Sequence, residues 1–109
     1  MREKFNKSKR IMEGNEKEIE KLKEQYGDIY STTDSKGKVA YFRKPKRAEL
    51  SYAVSLQQAG KSLEMLEQVI KSCFVYGDRV FVDDTDHILG AAPLVEQLIR
   101  AEEIVVKKV

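Results

Sequence analysis

The sequence has no tryptophan, a single cysteine, a single histidine and only two prolines. One cysteine excludes an intramolecular disulfide framework and suits a reducing compartment. Cys73 follows Val69 and Ile70 in an apolar stretch, where a thiol reads as a small buried hydrophobe rather than a nucleophile. No apolar run is long enough to span a bilayer, and residues 1–26 hold nothing like the apolar core of a secretory signal. A cytoplasmic protein without membrane contact is therefore expected. A net charge of +2 is too small to make the whole chain a polyanion binder.

Chemistry is equally sparse. There is no glycine-rich phosphate loop, no Ser or Cys nucleophile with a base in the same motif, and no spaced carboxylate pair. Gly60-Lys61-Ser62 has the letters of a phosphate-loop ending, but the upstream glycine is missing and no strand-like run precedes it. Asp83, Asp84, Asp86 and His87 invite a metal reading, yet the spacing is not that of a calcium loop and no second histidine exists. Acidic residues at a helix start cap free N–H groups and oppose the dipole, which is the reading preferred here. No catalytic residue, metal or cofactor is expected.

Lysine and glutamate dominate what is present, with 35% of residues charged and 41% hydrophobic. The length suits one domain. Residues 1–26 form an N-terminal arm in which Phe5, Met12, Ile19 and Tyr26 recur every seven residues, with Leu22 between the last two. That sparse stripe predicts an amphipathic helix with a narrow apolar seam, secure from Asn15, its N-cap, and stopped by Gly27. Residues 27–109 form a single small α+β domain. Ile29–Thr33 and Lys38–Arg43 read as an antiparallel hairpin about the turn Asp34-Ser35-Lys36-Gly37.

Pro45 suits the first turn of a helix whose face carries Leu50, Ala53, Val54 and Gln57, with Tyr52 and Leu56 beside it. Gly60 ends that helix and Ser62 caps the next. Leu63, Leu66, Val69, Ile70 and Cys73 make the strongest apolar stripe, so Leu66 and Ile70 are expected in the core. Arg79-Val80-Phe81-Val82 reads as a short third strand or an extended cover after the turn Gly77-Asp78. A closing helix carries Ile88, Ala91, Ala92, Val95, Leu98 and Ile99, kinks or breaks briefly at Pro93 and reaches about residue 103; the β-branched tail Ile104–Val109 is open to a last helical turn or a strand. The expected whole is an N-terminal amphipathic helix, a β-hairpin with a possible third strand, and a bundle of about three helices.

Six basic residues and no acidic one lie between Lys36 and Arg47. Among them, Arg43, Lys44, Lys46 and Arg47 adjoin Tyr41, an aromatic–basic combination open to a protein or a nucleic-acid partner. Strand alternation buries one of Tyr41 and Phe42, so nucleic acid is the less favoured partner. Such a small domain, with a sparse seam and a hairpin edge, gains from a protein partner or from self-association. Phe5, Met12, Ile19, Leu22, Tyr26, Tyr41, Arg43, Lys44, Lys46 and Arg47 are the candidate contact residues.

The runs Gln25-Tyr26-Gly27-Asp28-Ile29-Tyr30 and Tyr41-Phe42-Arg43-Lys44-Pro45-Lys46-Arg47-Ala48-Glu49-Leu50-Ser51 are followed by Ser72-Cys73-Phe74, Tyr76-Gly77-Asp78, Asp83-Asp84 and Leu89-Gly90-Ala91-Ala92-Pro93. In this order they are similar to a group of small phage and prophage proteins of Bacteroidetes, over roughly residues 20–104. The organisation resembles phage tail assembly chaperones, which hold tape-measure or tube subunits soluble before assembly. The resemblance implies a non-enzymatic protein–protein interaction module in the cytoplasm of a bacterial host. The alternatives are a minor structural or head–tail virion component, and a small nucleic-acid-binding regulator using the Lys36–Arg47 patch.

Overall fold

The computed structural model describes residues 16–109, so Phe5, Met12 and the Asn15 cap lie outside the described residues. Helix α1 covers residues 16–26. It stops where Gly27 takes φ 82° and donates its N–H to the Lys23 carbonyl at 2.9 Å. A left-handed residue there closes the helix without the steric penalty of a Cβ.

The hairpin forms as the alternation predicts. Strands β1 (Ile29–Thr33) and β2 (Val39–Arg43) pair antiparallel, from Ile29 opposite Arg43 to Thr33 opposite Val39. Their turn is held by one side chain: Asp34 Oδ1 accepts from the N–H groups of Lys36 and Lys38 at 2.9 and 2.8 Å. Gly37 supplies the positive φ. Along β2, Ala40 and Phe42 are fully buried while Tyr41 is half-buried on the other face.

A third strand exists, but it lies earlier in the chain than Arg79–Val82: it is β3 (Phe74–Gly77), which pairs antiparallel with β2 and gives the order β1-β2-β3. Arg79–Val82, read from its β-branched and aromatic residues as strand or extended cover, instead leads into the single-turn helix α4 (Val80–Asp83). Asp78 Oδ1 accepts the Val80 N–H at 2.9 Å, and the Arg79 carbonyl then accepts from both Val82 and Asp83. This side-chain bond starts a helical turn. Phe81 and Val82 are buried side by side, a pattern that an alternating strand cannot produce.

Helix α2 (Arg47–Gln58) starts two residues after Pro45, which therefore stands before the helix and not in its first turn. Lys46 is the N-cap, and its N–H is taken by Glu49 Oε1 at 2.7 Å. The buried face is Ala53 and Leu56, whereas Val54, Tyr52 and Gln57 are exposed. The expected face was thus rotated, because α2 packs mainly along one neighbour, the helix that follows it.

That helix is α3 (Ser62–Cys73), and Ser62 is its first residue, not its cap. Gly60, at φ 77°, donates to the Gln57 carbonyl and Lys61 donates to Leu56, the paired closure of a Schellman turn. Lys61 thereby becomes the shared residue, and its carbonyl accepts the first bond of α3 from Met65. Met65, Val69, Ile70 and Cys73 are buried. Leu66 packs half-buried at the margin of the core and Leu63 is exposed, so the stripe is centred nearer Met65 than its spacing suggested. Contacts from α2, β2 and the helices after β3 meet α3 from several directions.

The break near Pro93 is present. Helix α5 (Thr85–Gly90) ends before α6 (Ala92–Leu98), and Pro93 falls in the first turn of α6, where its missing N–H leaves nothing unpaired. Ile88, Ala91, Leu94, Val95 and Leu98 close the core. The last helix stops at Leu98, short of residue 103; Glu102 and Glu103 would have met the negative end of the helix dipole. Among the described residues no helix is long and apolar enough to cross a membrane.

Candidate interaction surface

Arg43 ends β2 on the face opposite Phe42, and the fold uses its guanidinium. Nη1 and Nη2 donate to the two oxygens of Glu49 at 2.8 and 2.9 Å, Nη2 also reaches the Ser72 carbonyl at 2.7 Å, and Nη1 reaches the Lys44 carbonyl at 3.0 Å. Strand β2, the first turn of α2 and the last turn of α3 are thus tied at one side chain. The paired hydrogen bonds raise the Arg43 pKa and hold the Glu49 carboxyl below its ordinary value, against the opposing effect of burial. Arg43 also lies 5.9 Å from the ring centre of Tyr26, bringing the end of α1 over this corner of the sheet.

The remaining basic residues do not make one patch. Lys36 and Lys38 stand at the hairpin tip, while Lys44, Lys46 and Arg47 stand at the far end of β2. A five-residue strand separates them by roughly 17 Å. All five are exposed. Tyr41 is half-buried and faces Tyr76 with 6.0 Å between ring centres, so it belongs to the sheet surface and not to a basic cleft. Of the other seam residues, Ile19 and Leu22 are half-buried and Tyr26 is 39% exposed. The structure therefore brings Tyr26 and Arg43 together, with Tyr41 along the same sheet face.

The acidic cluster resolves into separate tasks. Asp84 is the N-cap of α5, accepting the His87 N–H at 3.2 Å. The imidazole is held from both sides, Nδ1 at 2.5 Å from Asp84 Oδ2 and Nε2 at 2.9 Å from Asp34 Oδ2. Only an imidazolium donates from both nitrogens. Hydrogen bonds to Asp34 first and Asp84 second push the His87 pKa up, and the bonds to His87 hold both carboxyls below their ordinary values. His87 thus clasps the hairpin turn to α5. The 53-residue separation of Asp34 and His87 left no local signal for this pairing. Among the described residues no group of three or more His, Cys, Asp or Glu side chains is placed to hold a metal ion.

Beside this clasp lies an open groove of about 450 Å³ between the end of β1 and helices α5 and α6. Phe81, Ala91, Pro93 and Leu94 give it apolar walls, and Asp34 and Asp86 stand at its rim. No buried side-chain nitrogen or oxygen among the described residues lacks a hydrogen-bond partner. Burial pushes the Cys73 thiol up to about 11, leaving no thiolate at neutral pH.

Sequence reading missed one exposed element. Residues 101–109 adopt no regular structure, and Ile104, Val105, Val106 and Val109 are at least 74% exposed. Their β-branched composition was visible, but not their lack of any cover. The chain matches no family model, no curated protein and no solved structure.

Proposed function

We propose that this chain is a non-enzymatic protein–protein interaction module. The observation that carries the reading is the contiguous exposure of Ile104, Val105 and Val106 beside a domain whose other large apolar side chains mostly pack together. Exposed apolar residues scattered singly are ordinary, whereas a contiguous run marks a surface that another chain covers. Tyr52 and Val54 on α2, Leu63 on α3 and Tyr26 at the end of α1 are further exposed apolar side chains. The ionisable side chains that carry shifted pKa values all serve the fold: Arg43 with Glu49, His87 with Asp34 and Asp84, and Cys73 in the core.

Together with the resemblance to small phage proteins, this surface favours a tail assembly chaperone that keeps a tail protein soluble before assembly in the host cytoplasm. The test is co-expression with candidate tail-tube and tape-measure subunits. The reading requires that a subunit which precipitates alone become soluble, and that Val105→Asp with Val106→Asp remove the effect while the chaperone itself stays folded. Unchanged client solubility in every pairing counts against it. A protein retained in finished particles is instead a minor structural or head–tail component. A nucleic-acid regulator is disfavoured by the division of the basic run into two groups at opposite ends of β2.

A further inference from the structure

We infer that residues 104–109 dock in the groove between β1 and helices α5 and α6 of a second copy of this chain, giving a reciprocal dimer. This rests on the interaction-module reading and names its first partner. The segment Ile104-Val105-Val106-Lys107-Lys108-Val109 combines four exposed β-branched residues with two lysines that make no ion pair among the described residues. The groove has the complementary chemistry: walls of Phe81, Ala91, Pro93 and Leu94, with Asp86 at the rim making no ion pair among the described residues. Asp34, also at the rim, is already bound to His87, which leaves Asp86 as the free anion for a lysine.

Geometry adds a second match. Strand β1 is an outer strand of the sheet, and its Thr32 and Thr33 line the groove. An outer strand presents N–H and C=O groups along its free edge, and an extended β-branched segment is suited to pair with them. In its own chain the segment stays exposed and leaves α6 from the end opposite Pro93 and Leu94. A second copy presents the same segment and the same groove, so two reciprocal contacts close a two-fold dimer.

The experiment is sedimentation velocity on the full chain from micromolar to submillimolar concentration, with charge reversals on each side. Wild type should dimerise. Asp86→Lys alone, and Lys107→Glu with Lys108→Glu, should each weaken dimerisation at least tenfold, and combining all three should restore most of it. Val106→Asp should abolish it, with an unchanged far-UV spectrum establishing that the domain remains folded. A monomer throughout the range, or a dimer indifferent to these charges, overturns the inference. If the chain is monomeric yet still keeps a tail subunit soluble through Val105 and Val106, the second-copy assignment fails while the interaction-module reading stands. If dimerisation follows the charges but no client is held, the dimer stands and the chaperone reading fails.

Discussion

The side chain whose removal should be felt at most elements is Arg43. It is only 12% exposed, and its partner Glu49 is 25% exposed. Removing one partner of a fully buried pair costs about 3–5 kcal/mol, while an exposed pair is worth about 0–1 kcal/mol. This pair lies between those limits, and Arg43→Met retains the alkyl packing while deleting every donor. The Ser72 carbonyl then loses its guanidinium partner and Glu49 keeps only the Lys46 N–H. A loss of about 2–3 kcal/mol is expected. Glu49→Gln preserves an acceptor for Lys46 and should cost about 1 kcal/mol. The pair should therefore show a coupling energy of about 1–2 kcal/mol in a double-mutant cycle. Urea denaturation of the four proteins measures it, provided that the m-value stays constant. A coupling below about 0.3 kcal/mol would show that the fork is geometry without energy and that β2, α2 and α3 are held by the apolar core alone.

Ile70→Ala should destabilise by about 3–5 kcal/mol because Ile70 is fully buried, whereas Leu66→Ala, at the margin of the core, should cost about 1–2 kcal/mol; chemical denaturation checks the order. Gly77→Ala should cost at least about 2 kcal/mol, since Gly77 has φ 113° and an added Cβ would stand 2.5 Å from the Val39 carbonyl oxygen; an unchanged urea midpoint would contradict this. The His87 clasp gives stability a pH signature. Its raised pKa means that its contribution is complete below the ordinary histidine value of about 6.5 and fades as pH rises through the folded value; the lowered Asp34 and Asp84 values mean that theirs holds above about 3.9 and is lost as pH falls through the folded values. Urea midpoints should therefore carry the full contribution between about pH 4 and 6.5, and His87→Gln should remove the decline on the alkaline side of that window.

The architecture was legible wherever one local force dominated. Gly27, Gly37 and Gly60 marked ends and turns because each takes a positive φ, and alternation required one of Tyr41 and Phe42 to be buried, which is Phe42. The α+β class followed from these. Errors arose where two forces competed. Val80-Phe81-Val82 has strand composition, but the Asp78 side chain captures the Val80 N–H and a helical turn follows. In α3 the stripe held at Val69, Ile70 and Cys73 and missed at its start, where Met65 is buried and Leu63 is exposed; in α2 the periodicity was correct and the phase was not, because which side is buried depends on neighbours that the sequence does not order. The candidate surface was legible only in part. Arg43 was singled out as a partner contact, and the distant Glu49 and Ser72 contacts absorb it into the fold. Ile104–Val106 was visible as β-branched chain, yet its exposure follows from α6 ending at Leu98.

Stability and recognition therefore rest on different side chains. Phe42, Ile70, Val69, Val95, Leu98 and Cys73 are the largest fully buried groups, and the Arg43 and His87 contacts fasten the elements around them. None of these lies among residues 104–109 or on the exposed face of α2. Truncating a core side chain removes packing and leaves a cavity, so it acts on the whole domain. Changing an exposed residue away from such contacts ordinarily moves stability by no more than about 0.5 kcal/mol. The two classes of variant should consequently separate in experiment: Ile70→Ala lowers the unfolding midpoint and loses partner binding only as the domain unfolds. Val106→Asp leaves the midpoint nearly unchanged and loses association outright. If Val106→Asp instead lowered the midpoint at concentrations where the chain is monomeric, residues 104–109 would belong to the packing of their own domain. The apolar surface on α2 would then be the place to seek a partner.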